Sequence, residues 1–223
     1  LNPDRNSLCL DSLQSTIDLP IRVNQTDPVL IEVLRLDLNT GENETISIPT
    51  KQLKTLKKQA EKKHVPGQPH RDLLFPVRKT GVYRLQRVVD ESQLDVHTRT
   101  FDALVVSCPR ALIKNSHIDK CKGELSDFKL EVEGTPPLKI KYSRQVNNLD
   151  RGFSVLNIQP DHLRSPLLNG RTTAALYSIN QPDVSWAQSQ KIEVPLNESL
   201  NDGGEWFYTI EEVHDAIGNV ANY

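Results

Sequence analysis

The chain has no methionine, three cysteines and aromatic residues at only 5% of its 223 positions. No apolar run exceeds four residues, as at Ala103-Leu104-Val105-Val106, far short of the ~20 that a membrane-spanning helix needs. No leader of charged, apolar and small-residue regions opens it. With Leu1 first and no methionine anywhere, the start reads as a cut or a processing point, so a targeting signal or membrane anchor is expected outside these residues. Charge of one sign is also missing. A net charge of −2 excludes the basic footprint of a nucleic-acid binder. There is no Gly-x-Ser-x-Gly elbow and no phosphate-cradling glycine loop. The six histidines, His64, His70, His97, His117, His162 and His214, are scattered without metal-ligand spacing. Asp90, Asp95, Asp102 and Asp119 flank the middle of the chain but form no Asp-x-Asp run of the kind that holds calcium between modules.

What is present is a soluble globular balance, 37% hydrophobic and 25% charged, in a chain long enough for two ordinary domains. The chain repeats itself. Ile21-x-Val23-x-x-Thr26-x-Pro28-Val29-x-Ile31 recurs 109 residues later as Leu130-x-Val132-x-x-Thr135-x-Pro137-Leu138-x-Ile140. Tyr83-x-Leu85-x-x-Val88-x-Asp90 recurs 125 residues later as Tyr208-x-Ile210-x-x-Val213-x-Asp215, so the second copy carries about 16 extra residues as longer loops or an added strand. The boundary falls near Val106-Ser107-Cys108-Pro109, giving domains 1–106 and 107–223, the last strand of the second being truncated.

Each copy reads as β structure. Ile17, Leu19, Ile21 and Val23 alternate with polar neighbours, as do Phe128, Leu130 and Val132, the period of a half-buried strand. Segments 29–36 and 138–146 follow a proline-containing turn, so each pair is expected to form a hairpin. Further strands are expected over 45–48, 73–77, 82–89, 100–106, 153–158, 173–179, 191–194 and 206–213. So many short strands between turn signals predict an antiparallel sandwich. Val88 and Val213 fall off the face that Tyr83 with Leu85, and Tyr208 with Ile210, define, which predicts a bulge at the same place in both copies. One stretch departs from β: Leu53, Leu56 and Ala60 at helical spacing, with Thr50 as N-cap and lysines in the last turn, predict a short helix over 50–63.

Three Asn-x-Ser/Thr sequons, at Asn24, Asn43 and Asn197, are candidate glycosylation sites and point to an oxidising, glycosylating compartment. The most distinctive residues are Cys108-Pro109, Cys121-Lys122-Gly123 and the run from Val132 through Gly134, Pro136, Pro137 and Tyr142 to Asn147, closed by Tyr208 to Asp215 and Gly218-Asn219. Together they resemble the lumenal immunoglobulin-like repeats of the fungal nuclear-pore membrane glycoprotein of the pore-membrane ring. The second copy carries the resemblance almost end to end. The first keeps Thr26, Pro28 and the Tyr83 to Asp90 motif but has Gln25-Thr26-Asp27-Pro28 in place of Gly134-Thr135-Pro136-Pro137.

The resemblance implies an all-β chain of two tandem immunoglobulin-like antiparallel β-sandwiches. It implies a scaffold of the nuclear pore in the perinuclear lumen of the nuclear envelope, without catalytic residues, metal or cofactor. Its partners are then other copies, neighbouring repeats and other membrane components of the pore. Within that frame Cys108 and Cys121 are expected to form a disulfide at the entrance of the second module, leaving Cys9 in the position of Cys121 in the first. Tyr83 and Tyr208 are expected to bond the corner that precedes their strand. Two other readings fit the same modules: the ectodomain of a cell-surface adhesion protein, and accessory sandwich domains of a secreted hydrolase.

Overall fold

The computed structural model describes residues 1–11, 15–24, 26–63, 72–98, 102–114, 119–147, 149–163, 165–169 and 183–223. The chain divides into two compact units, Leu1–Val106 and Ser107–Tyr223, each around its own hydrophobic core.

The first module runs β1 (Leu8–Leu10), β2 (Ile17–Arg22), β3 (Pro28–Leu36), β4 (Asn43–Pro49), α1 (Thr50–Lys63), β5 (Asp72–Val77), β6 (Gly81–Asp90) and β7 (Ala103–Ser107). Its larger sheet has the order β1-β7-β6-β3-β4 and its smaller one is β2-β5. Leu19 and Ile21 of β2 and Leu73, Phe75 and Val77 of β5 point inward against Ile31 and Val33 of β3 and Tyr83 and Leu85 of β6. The period-2 alternation thus puts one face of each sheet in the core. The helix forms where the spacing predicts it, and Leu53, Leu56 and Ala60 are all buried in that core. The Thr50 hydroxyl, expected to cap the helix, donates to Val29 O at 2.7 Å.

The second module runs β8 (Arg110–Lys114), β9 (Phe128–Gly134), β10 (Leu138–Val146), β11 (Leu149–Ile158), β12 (Gln190–Leu196), β13 (Trp206–His214) and β14 (Val220–Asn222), with 3-10 turns at Pro166–Asn169 and Ser185–Ala187. Its sheets are β11-β10-β13-β14 and β12-β9-β8. Most of the residues that the second copy adds fall in the crossing from β11 to β12, where the first module has α1. The strand expected over 173–179 lies outside the described residues.

The expected hairpins do not form. β2 pairs with β5, β3 with β4 and β6, and in the same way β9 pairs with β8 and β12 while β10 pairs with β11 and β13. The proline-containing turns carry the chain from one sheet to the other. The reason is burial: both strands of each pair have an apolar face, and crossing over lets the two faces pack against each other.

The bulge is there, twice. Along β3·β6 the register passes from Glu32↔Arg87 to Val33↔Leu85, skipping Gln86. Along β10·β13 it passes from Lys141↔Glu212 to Tyr142↔Ile210, skipping Glu211, the residue 125 positions on from Gln86. The extra residue returns Val88 and Val213 to the buried face, where they are 6% and 0% exposed.

Because α1 contributes only its inner face, replacing Leu53, 1% exposed, by alanine is expected to cost about 2–5 kcal/mol of first-module stability, while Lys54→Ala on the outer face stays within about 0.5 kcal/mol. Denaturant titration of the two variants checks this. Equal midpoints would mean that the helix is not part of the core.

Candidate functional site

Candidate residues gather at three places: the sheet-crossing turn, the Asp motif that closes the β6 and β13 strands, and a carboxylate-centred aromatic cluster in the second module.

In the turn, Gly134 leaves no room for a side chain: a Cβ there would lie 2.9 Å from Leu138 Cδ2 and 3.2 Å from Pro109 Cα. Thr135 is fully buried, its hydroxyl donating to Ala187 O at 3.0 Å and its carbonyl accepting from Ala216 N at 3.1 Å. Pro136 and Pro137, joined by a cis peptide, lead into β10. The equivalent turn of the first module ends at Pro28, which lies opposite Asp90 in the sheet, and Thr26 is half-buried there.

Asp90 and Asp215 do the same work. The Asp90 carboxylate accepts from Ser92 N at 2.9 Å and Leu94 N at 3.0 Å. That of Asp215 accepts from Ile217 N at 2.9 Å and Asn219 N at 2.8 Å, and also from the Asn219 side chain at 2.8 Å. Each pins a tight turn, and each turn passes through a positive φ, at Gln93 (62°) and at Gly218 (97°). Burial pushes the Asp215 carboxyl above the usual carboxylate range, against the pull of these bonds.

The two motif tyrosines part company. Tyr83 is 1% exposed and donates to Lys79 O at 2.6 Å, four residues back, closing the corner before β6. Tyr208 instead donates to Glu198 at 3.2 Å. The same carboxylate accepts from Tyr142 at 3.3 Å and pairs with Arg144, whose guanidinium lies 4.8 Å from the Phe153 ring centre and 5.2 Å from that of Trp206. Tyr142 stacks on Phe153 at 5.4 Å, and Phe128 meets Tyr208 at 4.7 Å. Nothing in the sequence marks Glu198, since it sits inside a sequon in a loop. Burial first, and the Glu198 charge second, push Tyr142 and Tyr208 up to about 12.

The cysteines correct the expectation. Cys121 is a free, exposed thiol, while Cys9 and Cys108 are disulfide-bonded. With three cysteines in the chain, the bond joins Cys9 to Cys108. Cys9 is the middle residue of β1, Cys108 follows β7, and β1 and β7 are hydrogen-bonded neighbours. Proximity in sequence favoured Cys121, but strand adjacency decides which thiols meet. All three sequon asparagines, Asn24, Asn43 and Asn197, are exposed. Among the described residues no group of three metal-ligating side chains converges; His64, His70 and His117 lie outside them.

An open cleft of about 500 Å³ lies in the second module, lined on one side by Lys120, Cys121 and Lys122 and on the other by Trp206 and Phe207 at the start of β13. Phe207 is 54% exposed.

Two measurements follow. Non-reducing peptide mapping after thiol alkylation is expected to recover Cys9 linked to Cys108 and Cys121 alkylated; a Cys108–Cys121 peptide would contradict the strand arrangement. For the tyrosines, a folded pKa above the unfolded value near 10 means that their stabilisation is complete below pH ~10 and is lost as the pH climbs from there toward 12. Phenolate absorbance should therefore show two late-ionising tyrosines, and Glu198→Gln should bring both back toward the ordinary range. An unchanged titration in that variant would exclude the carboxylate as a cause.

Residues 1–105 match the family described as nucleoporin pom152-like, first immunoglobulin-like domain. The chain is 30% identical over 98% of its length to nucleoporin pom152 of Schizosaccharomyces pombe, and 28% identical over 100% of its length to nucleoporin POM152 of Saccharomyces cerevisiae. It spans only 18% of the length of each of these relatives. No solved structure matches it significantly. The family match falls on the first copy, although the fuller run of motif residues lies in the second; the two relatives cover both. Residues 1–105 thus match the pom152-like first immunoglobulin-like domain family, and the chain as a whole is similar to the fungal Pom152 nucleoporins.

Proposed function

We propose that this chain is a non-enzymatic scaffold segment of a nuclear-pore protein, two modules of a longer immunoglobulin-like array on the lumenal side of the nuclear envelope. The observation that carries this reading is the relationship to two nucleoporins along essentially the whole chain. The Cys9–Cys108 disulfide and three exposed sequons support the lumenal side, where thiols oxidise and asparagines are glycosylated. Such an array spaces or anchors the pore by associating with other copies, with neighbouring repeats and with other membrane components of the pore. Among the described residues no helix is long and apolar enough to cross a membrane, and on this reading nucleic acid is not a partner.

Support for self-association comes from β11. Among the described residues it is the outer strand of its sheet, and it exposes Leu149 (67%) and Leu156 (58%). An edge with unpaired backbone groups and apolar side chains invites another strand. The outer strand of the first module's larger sheet, β4, exposes Asn43, Glu44, Thr45 and Ser47 instead.

The compartment is tested by removing N-linked glycans from protein made in a secretory host. A mass loss that disappears in the Asn24→Gln, Asn43→Gln, Asn197→Gln triple variant is expected, together with a nuclear-rim signal from the tagged full-length protein. A glycan-free chain would overturn the lumenal assignment. For assembly, sedimentation velocity should show concentration-dependent association that Leu149→Lys with Leu156→Lys abolishes; identical association in that variant would move the interface away from β11.

A further inference from the structure

The second module's larger sheet stops short of its counterpart in the first. In the first module β6 is flanked by β7 along Gly81 to Tyr83, and β1 lies beyond β7. In the second, β13 pairs with β14 only over Glu212 to His214, and the Tyr223 amide adds one bond to Glu211 O. Among the described residues, no strand flanks Trp206 to Ile210 on that side, although Trp206 is the counterpart of Gly81.

β14 itself stands where the first module begins the approach to β7. Val89 bridges to Asp95, and 125 residues on, His214 pairs with Val220. In the first module the chain goes on from that bridge to β7.

The place of β1 is marked as well. Asn2 N donates to Pro20 O at 2.8 Å, which sets Asn2 opposite Pro20. In the second module Lys114 lies opposite Lys129, the residue 109 positions after Pro20. Seven residues beyond Asn2 is Cys9, and seven beyond Lys114 is Cys121. Counted forward from that pairing, Cys121 takes the place in the second copy that the disulfide-bonded Cys9 takes in the first. Between the Cys121 segment and the open part of β13 lies the 500 Å³ cleft, where the first module holds β7 between β1 and β6.

We propose that this cleft receives a strand of the same polypeptide, the continuation of β14 beyond Tyr223, and that a cysteine just after that strand bonds to Cys121 as Cys108 bonds to Cys9. The relatives, of which this chain spans 18%, are long enough to supply such a segment. The strand satisfies the open backbone groups of Trp206 to Ile210 and covers Phe207. The bond forms when the two thiols lose two protons and two electrons to a low-molecular-weight disulfide, which leaves as two thiols. The bond, though not the strand, rests on the lumenal reading above.

The test compares this chain with one extended by about twenty residues of its natural sequence, both equilibrated with glutathione disulfide in vitro, so that the result does not depend on where the protein resides. In the extended chain Cys121 should resist alkylation until reductant is added, non-reducing mapping should link it to the new cysteine, and the amides of Trp206 to Ile210 should exchange at least tenfold more slowly than in the shorter chain. A Cys121 that stays alkylated in the extended chain overturns the bond. Unchanged amide exchange overturns the strand. A Cys121–Cys121 linkage between two chains would mean that a second copy occupies the cleft, and would overturn the proposal.

Discussion

The antiparallel pairing of β3 with β6, repeated by β10 with β13, is the constraint on which both modules rest. Each pair spans the middle of the larger sheet and supplies buried residues from both strands: Ile31, Val33, Tyr83 and Leu85 in one, Ile140, Tyr142, Ile210 and Val213 in the other. The single skipped residue, Gln86 or Glu211, sets where the faces switch. Without it Val88 and Val213 would point outward and a one-residue slip would expose the far end of the strand. The Asp90 and Asp215 turns follow directly from that register, because they close the strands just past the bulge.

Much of this was legible in the residues. The helix over 50–63 announced itself through Leu53, Leu56 and Ala60, and the bulge through the shared offset of two valines. Most strands fell within a few residues of expectation, since alternation reports burial directly. The failures have a common source. Local pattern gives elements, but not which sheet each joins. The turn before β3 looked like a hairpin turn because a proline turn between two apolar strands serves a hairpin and a sheet crossing equally well. Cys108 and Cys121 looked like partners because they are close in sequence, yet Cys9 reaches Cys108 through β1 lying against β7, a contact across about a hundred residues.

The site was harder still. Tyr83 and Tyr208 occupy equivalent places in a repeated motif, yet only Tyr83 closes its corner. The difference is Glu198, brought in by the longer loop after β12, which captures Tyr208, Tyr142 and Arg144 together. A repeat preserves a residue's position without preserving its partner when the loops around it differ in length.

The bond between Cys9 and Cys108 has a mechanical side. Almost the entire first module is enclosed between these two residues, so a pull along the chain from beyond them passes through sulfur and not through the sheets. If the module's packing gave way, the enclosed stretch still could not pay out the roughly 330 Å of extended chain that about a hundred residues contain. A module locked this way keeps its contour short under load.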